Sequence, residues 1–281
     1  MKSRIVGSHT YSHLALILPI IVLLGLFIVT PLTNLAVLAW AQGEMFSNIA
    51  RLFADTFFWI SIRITLTFVV VSVGTSVVLG TALALILRDV ESPILRAAFL
   101  LPMLVAPISV GLVWRLLYHP SFGVFNAILM GIGLNPQGWL GDPHMALPSV
   151  IIVDIWQWTP FIFLVILSGL KALPHTTLEA GRIDGASRWQ LLVYITLPQL
   201  KPTIFVAVLF RTLDAIKAFD KIVTLTAGGP GRATDLVAMH IYRVSFSFFQ
   251  FNYAALLAMV PIVFLFLFER SFTYLLRRSE E

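Results

Sequence analysis

The chain holds six long, largely apolar stretches, and these decide what solvent it folds in. A helix needs about 20 apolar residues to cross the hydrocarbon of a bilayer. The stretches at roughly Leu14–Leu38, Ile64–Leu87, Ala97–Leu117, Leu147–Leu170, Pro202–Leu225 and Tyr253–Leu276 reach that length. Only 12% of the 281 residues are charged and 58% are hydrophobic, with a mean hydropathy of +0.91. A water-soluble domain carries about a quarter charged residues, so this surface must face lipid. The sequence predicts an all-α, polytopic membrane protein with a single transmembrane domain over residues 1–281. The uncharged run after Arg4 extends to Glu44, well beyond a signal-peptide core of about 7–15 residues. It is therefore read as a retained first span, with Pro19 and Pro31 predicting a bend or a late start.

Basic residues set the orientation. With the amino terminus inside, the inner segments hold Lys2, Arg4, Arg88, Arg96, Lys171, Arg182, Arg188, Lys201, Arg270, Arg277 and Arg278. The outer loops hold Arg51, Arg232 and Arg243. Eleven against three predicts a multi-pass protein of the plasma membrane with both termini in the cytoplasm. The net charge of +5 is accounted for in the same way, without a nucleic-acid partner.

The inner segment 171–201 is long, charged and helical in pattern. Thr176 stands three residues before Glu179, a capping box that predicts a helix start at Thr176. Leu178, Ile183 and Ala186 give this helix an apolar side, and Gly185 permits a turn. Trp189, Leu192, Val193 and Ile195 form the apolar face of a second helix, which Thr196–Leu197–Pro198 ends. From the residues alone this hairpin reads either as an interfacial linker or as a docking element for a cytoplasmic partner.

The fifth stretch carries Arg211, Asp214, Lys217, Asp220 and Lys221. Charges in a span face protein or water, and Asp214, Lys217 and Lys221 share one side of a helix. Asp214 is expected to be the deep one, with Arg211 or Lys217 as its partner. Internal ion pairing and a wet pathway are both open to these residues. Asp154, four residues before Trp158 and beside Trp156 and Gln157, fits either a solute path or an outer interfacial belt. The chain lacks cysteine, and its six histidines show no ligand spacing, so no metal site is expected. Gly228–Gly229–Pro230–Gly231 lacks the Lys-Ser or Lys-Thr of a phosphate loop. No nucleophile–base pair suggests an enzyme.

The segment Glu179–Pro198 resembles the signature of the permease subunits of binding-protein-dependent ABC importers. That pattern is Glu-Ala-Ala, three residues, Gly, nine residues, then Ile-x-Leu-Pro. Here Glu179, Ala180, Gly181, Gly185, Ile195, Leu197 and Pro198 keep the spacing, and Gly181 departs from Ala. Glycine there weakens the helical turn by roughly 1 kcal/mol. The resemblance implies a six-helix, type I importer permease fold in which the hairpin docks on a separate ATPase. Glu179 meets that ATPase at its cleft edge, Gly185 makes the turn, and Ala186 and Ser187 lie near the contact.

Phe219–Asp220, Thr226, Gly228–Gly229–Pro230 and Thr234, extended by Tyr242 and Phe246, are similar to the carbohydrate branch of the family, of maltose type. The likeness runs from about Leu79 onward and is weakest in the first span. It implies a path for a sugar or sugar alcohol, in which Asp154, Trp158, Asp214, Lys217, Phe219 and Asp220 are the candidate lining. A permease for another small polar solute, such as a glycerol phosphate, is the alternative. The implied partners are a second permease subunit, two cytoplasmic ATPase subunits that carry the ATP and Mg, and an extracytoplasmic solute-binding protein. No cofactor is implied on this chain. A secondary transporter would call for paired broken helices with an ion site, and the long inner hairpin argues against one.

Labelling at Ser8 and Ser279 tests the orientation. Both positions are expected to react only after the cytoplasmic side is opened to the reagent, and labelling of either from outside overturns it.

Overall fold

Proline placement explains where the spans bend and where they continue. The computed structural model describes residues 6–40, 45–88, 90 and 92–280. Lys2 and Arg4, used in the charge argument, lie outside the described residues. Among the described residues the regular structure is helical: α1 (Val6–Trp40), α2 (Met45–Ala54), α3 (Thr56–Ile86), α4 (Pro93–Leu104), α5 (Pro107–Leu117), α6 (Val124–Gly131) and α7 (Pro143–Ala172), followed by α8 (His175–Ile183), α9 (Arg188–Gln190), α10 (Leu197–Ile216), α11 (Asp220–Leu225), α12 (Val237–Tyr242) and α13 (Phe251–Glu280). Among the described residues, five helices are long and apolar enough to cross a membrane: Ile17–Trp40, Thr56–Ile86, Pro143–Ala172, Arg188–Ile216 and Phe251–Tyr274. The pair Arg96–Leu104 and Pro107–Leu117, bent by 99°, makes a sixth if counted as one span.

The stretch read from hydropathy as a third span over Ala97–Leu117 is thus two helices with a sharp bend between them. Pro107 disfavours a helical residue before it, and Ala106 is extended at φ −56° and ψ 135°. The break frees the Val105 carbonyl, which accepts from Gln157 Nε2 at 3.0 Å. Pro19 and Pro31, by contrast, lie within α1 without interrupting it.

By contact the chain forms two units, Met1–Asp55 with Tyr242–Val260, and Thr56–Ile241 with Pro261–Glu281. In the first, Ala39, Ala255 and Leu256 form a small core with Leu35, Ile49, Leu52 and Met259. Arg51 donates to Gln250 Oε1 at 2.6 Å and lies over the Tyr253 ring, whose hydroxyl donates to Asp55. Arg51 and Tyr253 are therefore packing residues, where the sequence suggested only a loop charge and a helix start.

The second unit is built on the crossing of α3 with α7. One core, with Phe68, Val73, Val110, Trp114, Val153 and Ile222, joins α3, α5, α7 and α11. Another, with Ala84, Ile162, Phe163, Ile166 and Leu200, joins α3, α7 and α10. After α5, buried Asn126 ties the loop together: its Nδ2 donates to the carbonyls of Pro120 and Gln137, and its Oδ1 accepts from Gln137 N and Trp139 Nε1. Trp139 packs against Tyr118 and Phe125. Burial pushes the Tyr118 phenol well above its ordinary pKa, and the neutral hydroxyl donates to the Ser149 carbonyl.

At the helix crossing, a Cβ on Gly80 would stand 2.7 Å from Ile162 Cβ and 3.0 Å from the Phe163 backbone nitrogen. Small residues let spanning helices approach this closely. Gly80→Leu is expected to destabilise the protein by about 1–3 kcal/mol in a detergent-unfolding titration. Gly25→Leu, in open space on α1, should leave the transition within experimental scatter.

Candidate functional site

Two constellations stand out: a buried ion cluster between the spans, and the hairpin between α7 and α10. The cluster starts from Asp154, which lies about 17 Å along α7 from Pro143 and is fully buried. Its Oδ2 accepts from Ser72 Oγ of α3 and from Arg211 Nη2 of α10, and its Oδ1 accepts from Lys221 Nζ of α11. Arg211 also pairs through Nη1 with Asp214 Oδ2 at 3.0 Å. The Trp158 ring covers both cations, 5.4 Å from Arg211 Cζ and 5.8 Å from Lys221 Nζ, within cation–π reach. Two acids face two bases, so the cluster is neutral. Arg211 Nε and Trp158 Nε1 are buried donors without a hydrogen-bond partner among the described residues.

This geometry corrects the expected fifth span. The helix does not run unbroken to Leu225, because α10 ends at Ile216 and α11 starts at Asp220. Lys217 caps α10 and is exposed, while Asp220 opens α11 and is also exposed. Asp214, Lys217 and Lys221 therefore do not share one helical side. Asp214, expected to be deepest, keeps 46% of its side chain exposed, and the deep acid is Asp154. Phe219 packs against the larger core at the break. The structure thus brings Asp154, Trp158 and Asp214 together and leaves Lys217 and Asp220 outside the cluster. Ser72, Arg211 and Lys221 are the members that the sequence reading left out of its candidate set. The signal for the two cations was a lone acid inside an apolar span, which demands a base from another span.

Beyond α11, the Thr226–Thr234 segment closes on itself. The Thr226 and Thr234 hydroxyls share a 2.7 Å hydrogen bond, and Thr234 Oγ1 donates to the Gly229 carbonyl. The Gly229–Pro230 peptide is cis. Val237 N, at the start of α12, donates to the buried Thr65 hydroxyl of α3.

The hairpin begins where Pro174 forces Leu173 into an extended conformation. The expected capping box at Thr176 is absent: α8 starts at His175 with Pro174 as its N-cap and no side-chain cap. Thr176 is already inside the helix. The capping box lies instead at Ser187 and Gln190, where each side chain meets the other's backbone N–H. Gly185 sits at φ +80°, a conformation that favours glycine. Ala186 N donates to Gly181 O and Gly185 N to Arg182 O, the paired bonds of a Schellman turn.

Pro198 does not end the second helix. A π-helical stretch, Leu191–Thr196, runs directly into α10, with Leu197 N donating to Leu192 O and the Thr196 hydroxyl to Leu191 O. The wider turn accommodates a proline that has no N–H to give. Gly181 is buried, and a Cβ there would lie 2.7 Å from Ile195 Cδ1 and 2.8 Å from Leu191 Cδ2. The departure from alanine lets α8 nest against the second helix. Glu179, Ala180, Ser187 and Pro198 are exposed, and Ala186, Ile195 and Leu197 are half-buried. Ile183 and Trp189, expected on packing faces, are 85% and 70% exposed, and Tyr194 is 74% exposed. All three are exposed apolar side chains of the hairpin.

Residues 8–281 match the family described as the binding-protein-dependent transport system inner membrane component. The chain belongs to this family. It is 38% identical over 243 residues to the trehalose/maltose transport system permease protein of Thermococcus litoralis, covering 82% of each chain. It is 32% identical over 258 residues to the sulfoquinovosyl glycerol transport system permease protein of Agrobacterium fabrum, covering 87% of this chain and 83% of that one. In structure it superposes on a chain of a bacterial alginate ABC transporter, solved with an alginate pentasaccharide-bound periplasmic protein. The TM-score is 0.86 at 27% identity, over 96% of this chain and 95% of that one. This inner membrane component holds, among the described residues, no group of acidic or histidine side chains placed to bind a metal.

Asp154→Asn leaves two buried cations short of one counter-charge. It is expected to cost about 3–5 kcal/mol of stability, read by unfolding in detergent. Asp214→Asn, at a half-exposed position, should cost no more than about 1 kcal/mol in the same titration.

Proposed function

We propose that this chain forms the translocation path of an ATP-driven importer for a sugar or sugar alcohol, with both termini in the cytoplasm. The observation that carries the reading is the hairpin. A Schellman turn at Gly185 presents Ile183, Trp189 and Tyr194 to solvent, as a docking element requires and a plain linker does not. Glu179 and the Gly185 turn seat in a cytoplasmic ATPase that carries the ATP and Mg. A second permease subunit and an extracytoplasmic solute-binding protein complete the assembly. The alginate transporter's periplasmic partner and the sugar-related names of the relatives support this reading.

The charge balance of the ion cluster argues against a phosphate ester. Arg211 and Lys221 are matched by Asp154 and Asp214, leaving no surplus positive charge for a phosphate.

Reconstitution with the cognate subunits and a screen of solutes for stimulated ATP hydrolysis tests the class. Sugars or sugar alcohols should stimulate hydrolysis, and a response confined to amino acids, peptides, inorganic ions or phosphate esters overturns the reading. In the same system, Glu179→Lys and Gly185→Leu should each lower stimulated hydrolysis about tenfold or release the ATPase on purification, since one reverses a contact charge and the other forces a left-handed leucine. Normal assembly and hydrolysis in both variants overturns the docking assignment.

A further inference from the structure

The chain enters α13 through aromatic rings interleaved with amides: Phe249, Gln250, Phe251, Asn252 and Tyr253 follow one another. A π-helical stretch, Arg243–Ser247, precedes them and closes with Phe248 N donating to Arg243 O and Gln250 N to Val244 O. Phe249 makes the turn at φ +57°. Glycine is the ordinary residue for a left-handed turn after a helix, and a phenylalanine there is strained. Its ring is held 72% exposed. The Phe251 ring is 48% exposed, and the two rings stand at 67° with centroids 6.3 Å apart. They make two walls, not a stack.

Helix α2 supplies the other side. Ile49 and Leu52 pack with Ala255 and Leu256 of α13. Asn48, one helical turn before Leu52, shares that inward side and is only 7% exposed. Its Nδ2 is buried without a hydrogen-bond partner among the described residues, a costly condition for an amide. Asn48, Arg51 and the run 249–253 enclose a cavity of about 330 Å³, a size suited to a small molecule. Arg51 Nη2 donates to Gln250 Oε1, which leaves Gln250 Nε2 and further guanidinium N–H groups able to donate.

We infer that this cavity binds a pyranose ring of a saccharide. The rings of Phe249 and Phe251 take its C–H face, and the Asn48 and Gln250 amides with the Arg51 guanidinium take its hydroxyls. A carboxamide both donates and accepts, as does a hydroxyl. A lipid tail would leave the amides stranded. The amide that lacks a partner lines a hollow that one sugar ring enters whole. In the topology proposed above the run 249–253 is extracytoplasmic. That the bound saccharide is also the transported solute rests on that reading, whereas binding does not.

Saturation-transfer NMR on the full chain in phosphatidylcholine nanodiscs, free of sugar-based detergent, tests the site. Maltose and methyl glucoside are the probes, and sorbitol, which has hydroxyls without a ring face, is the control. Both pyranosides should receive saturation on their ring C–H protons, and sorbitol little. Phe249→Gly and Asn48→Leu should each weaken maltose binding about tenfold. Their unfolding midpoints should equal or exceed that of wild type, because one relieves a left-handed phenylalanine and the other removes an unsatisfied buried amide. A residue that served packing alone would not separate binding from stability in this way. Phe53→Ala, an exposed ring of α2 outside the cavity lining, should resemble wild type. No transfer to either pyranoside, or equal binding in wild type and both variants, overturns the proposal. Loss of solute-binding-protein association in the two variants with pyranoside binding intact assigns the cavity to protein docking and also overturns it. Variant-sensitive pyranoside binding in a transporter whose ATP hydrolysis no sugar stimulates supports the site and overturns only the import reading.

Discussion

Asp154 is the point on which the second unit depends. A single carboxylate buried in an apolar helix must be compensated, and the compensation arrives from three other elements. Ser72 comes from α3, Arg211 from α10 and Lys221 from α11. Pairing of this kind is weak evidence for net stability, but it is strong evidence for a specific arrangement, because every alternative packing strands a charge in a low-dielectric interior. The short helix α11 is six residues long, below the length at which a helix holds itself together. Its lysine is what anchors it, together with the core contacts of Ile222 and Leu225.

The all-helical, multi-span class and the family were legible in the sequence because they rest on length, hydropathy and a well-spaced motif. The breaks were not. The run Arg211–Lys221 is dense in charge, but nothing in it fixes the stop of α10 at Ile216; the break leaves Lys221 where it reaches Asp154. The same limit hid the bend before Pro107, which holds because Gln157, 52 residues on, satisfies the Val105 carbonyl. Capping was misplaced for a different reason. Thr176–Glu179 and Ser187–Gln190 both fit the capping pattern, and Pro174 decides between them by starting α8 a residue early. Gly185 was readable because a left-handed turn leaves a glycine in the sequence; the burial of Gly181 was not, since it depends on Ile195 and Leu191 arriving from the next helix.

The two constellations use charge in opposite ways. In the ion cluster the charges are matched and sequestered, so they position elements and present only a few donors. At the hairpin end Arg182 and Arg188 are exposed and make no ion pair among the described residues. The exposed apolar residues Ile183, Trp189 and Tyr194 of the hairpin suit a protein partner.

The π-helical join at Leu191–Thr196 has a mechanical consequence. Because Pro198 does not cut the chain into two helices, the second half of the hairpin and the fifth span form one rod from Arg188 to Ile216. A rod about 43 Å long, tilted by about 5°, moves its far tip by about 4 Å. That tip is the Lys217–Phe219 gap, immediately beside the residues that hold Asp154. A small rocking of the hairpin is thereby geared up into a displacement as large as a hydrogen bond is long, delivered where the spans are stitched together.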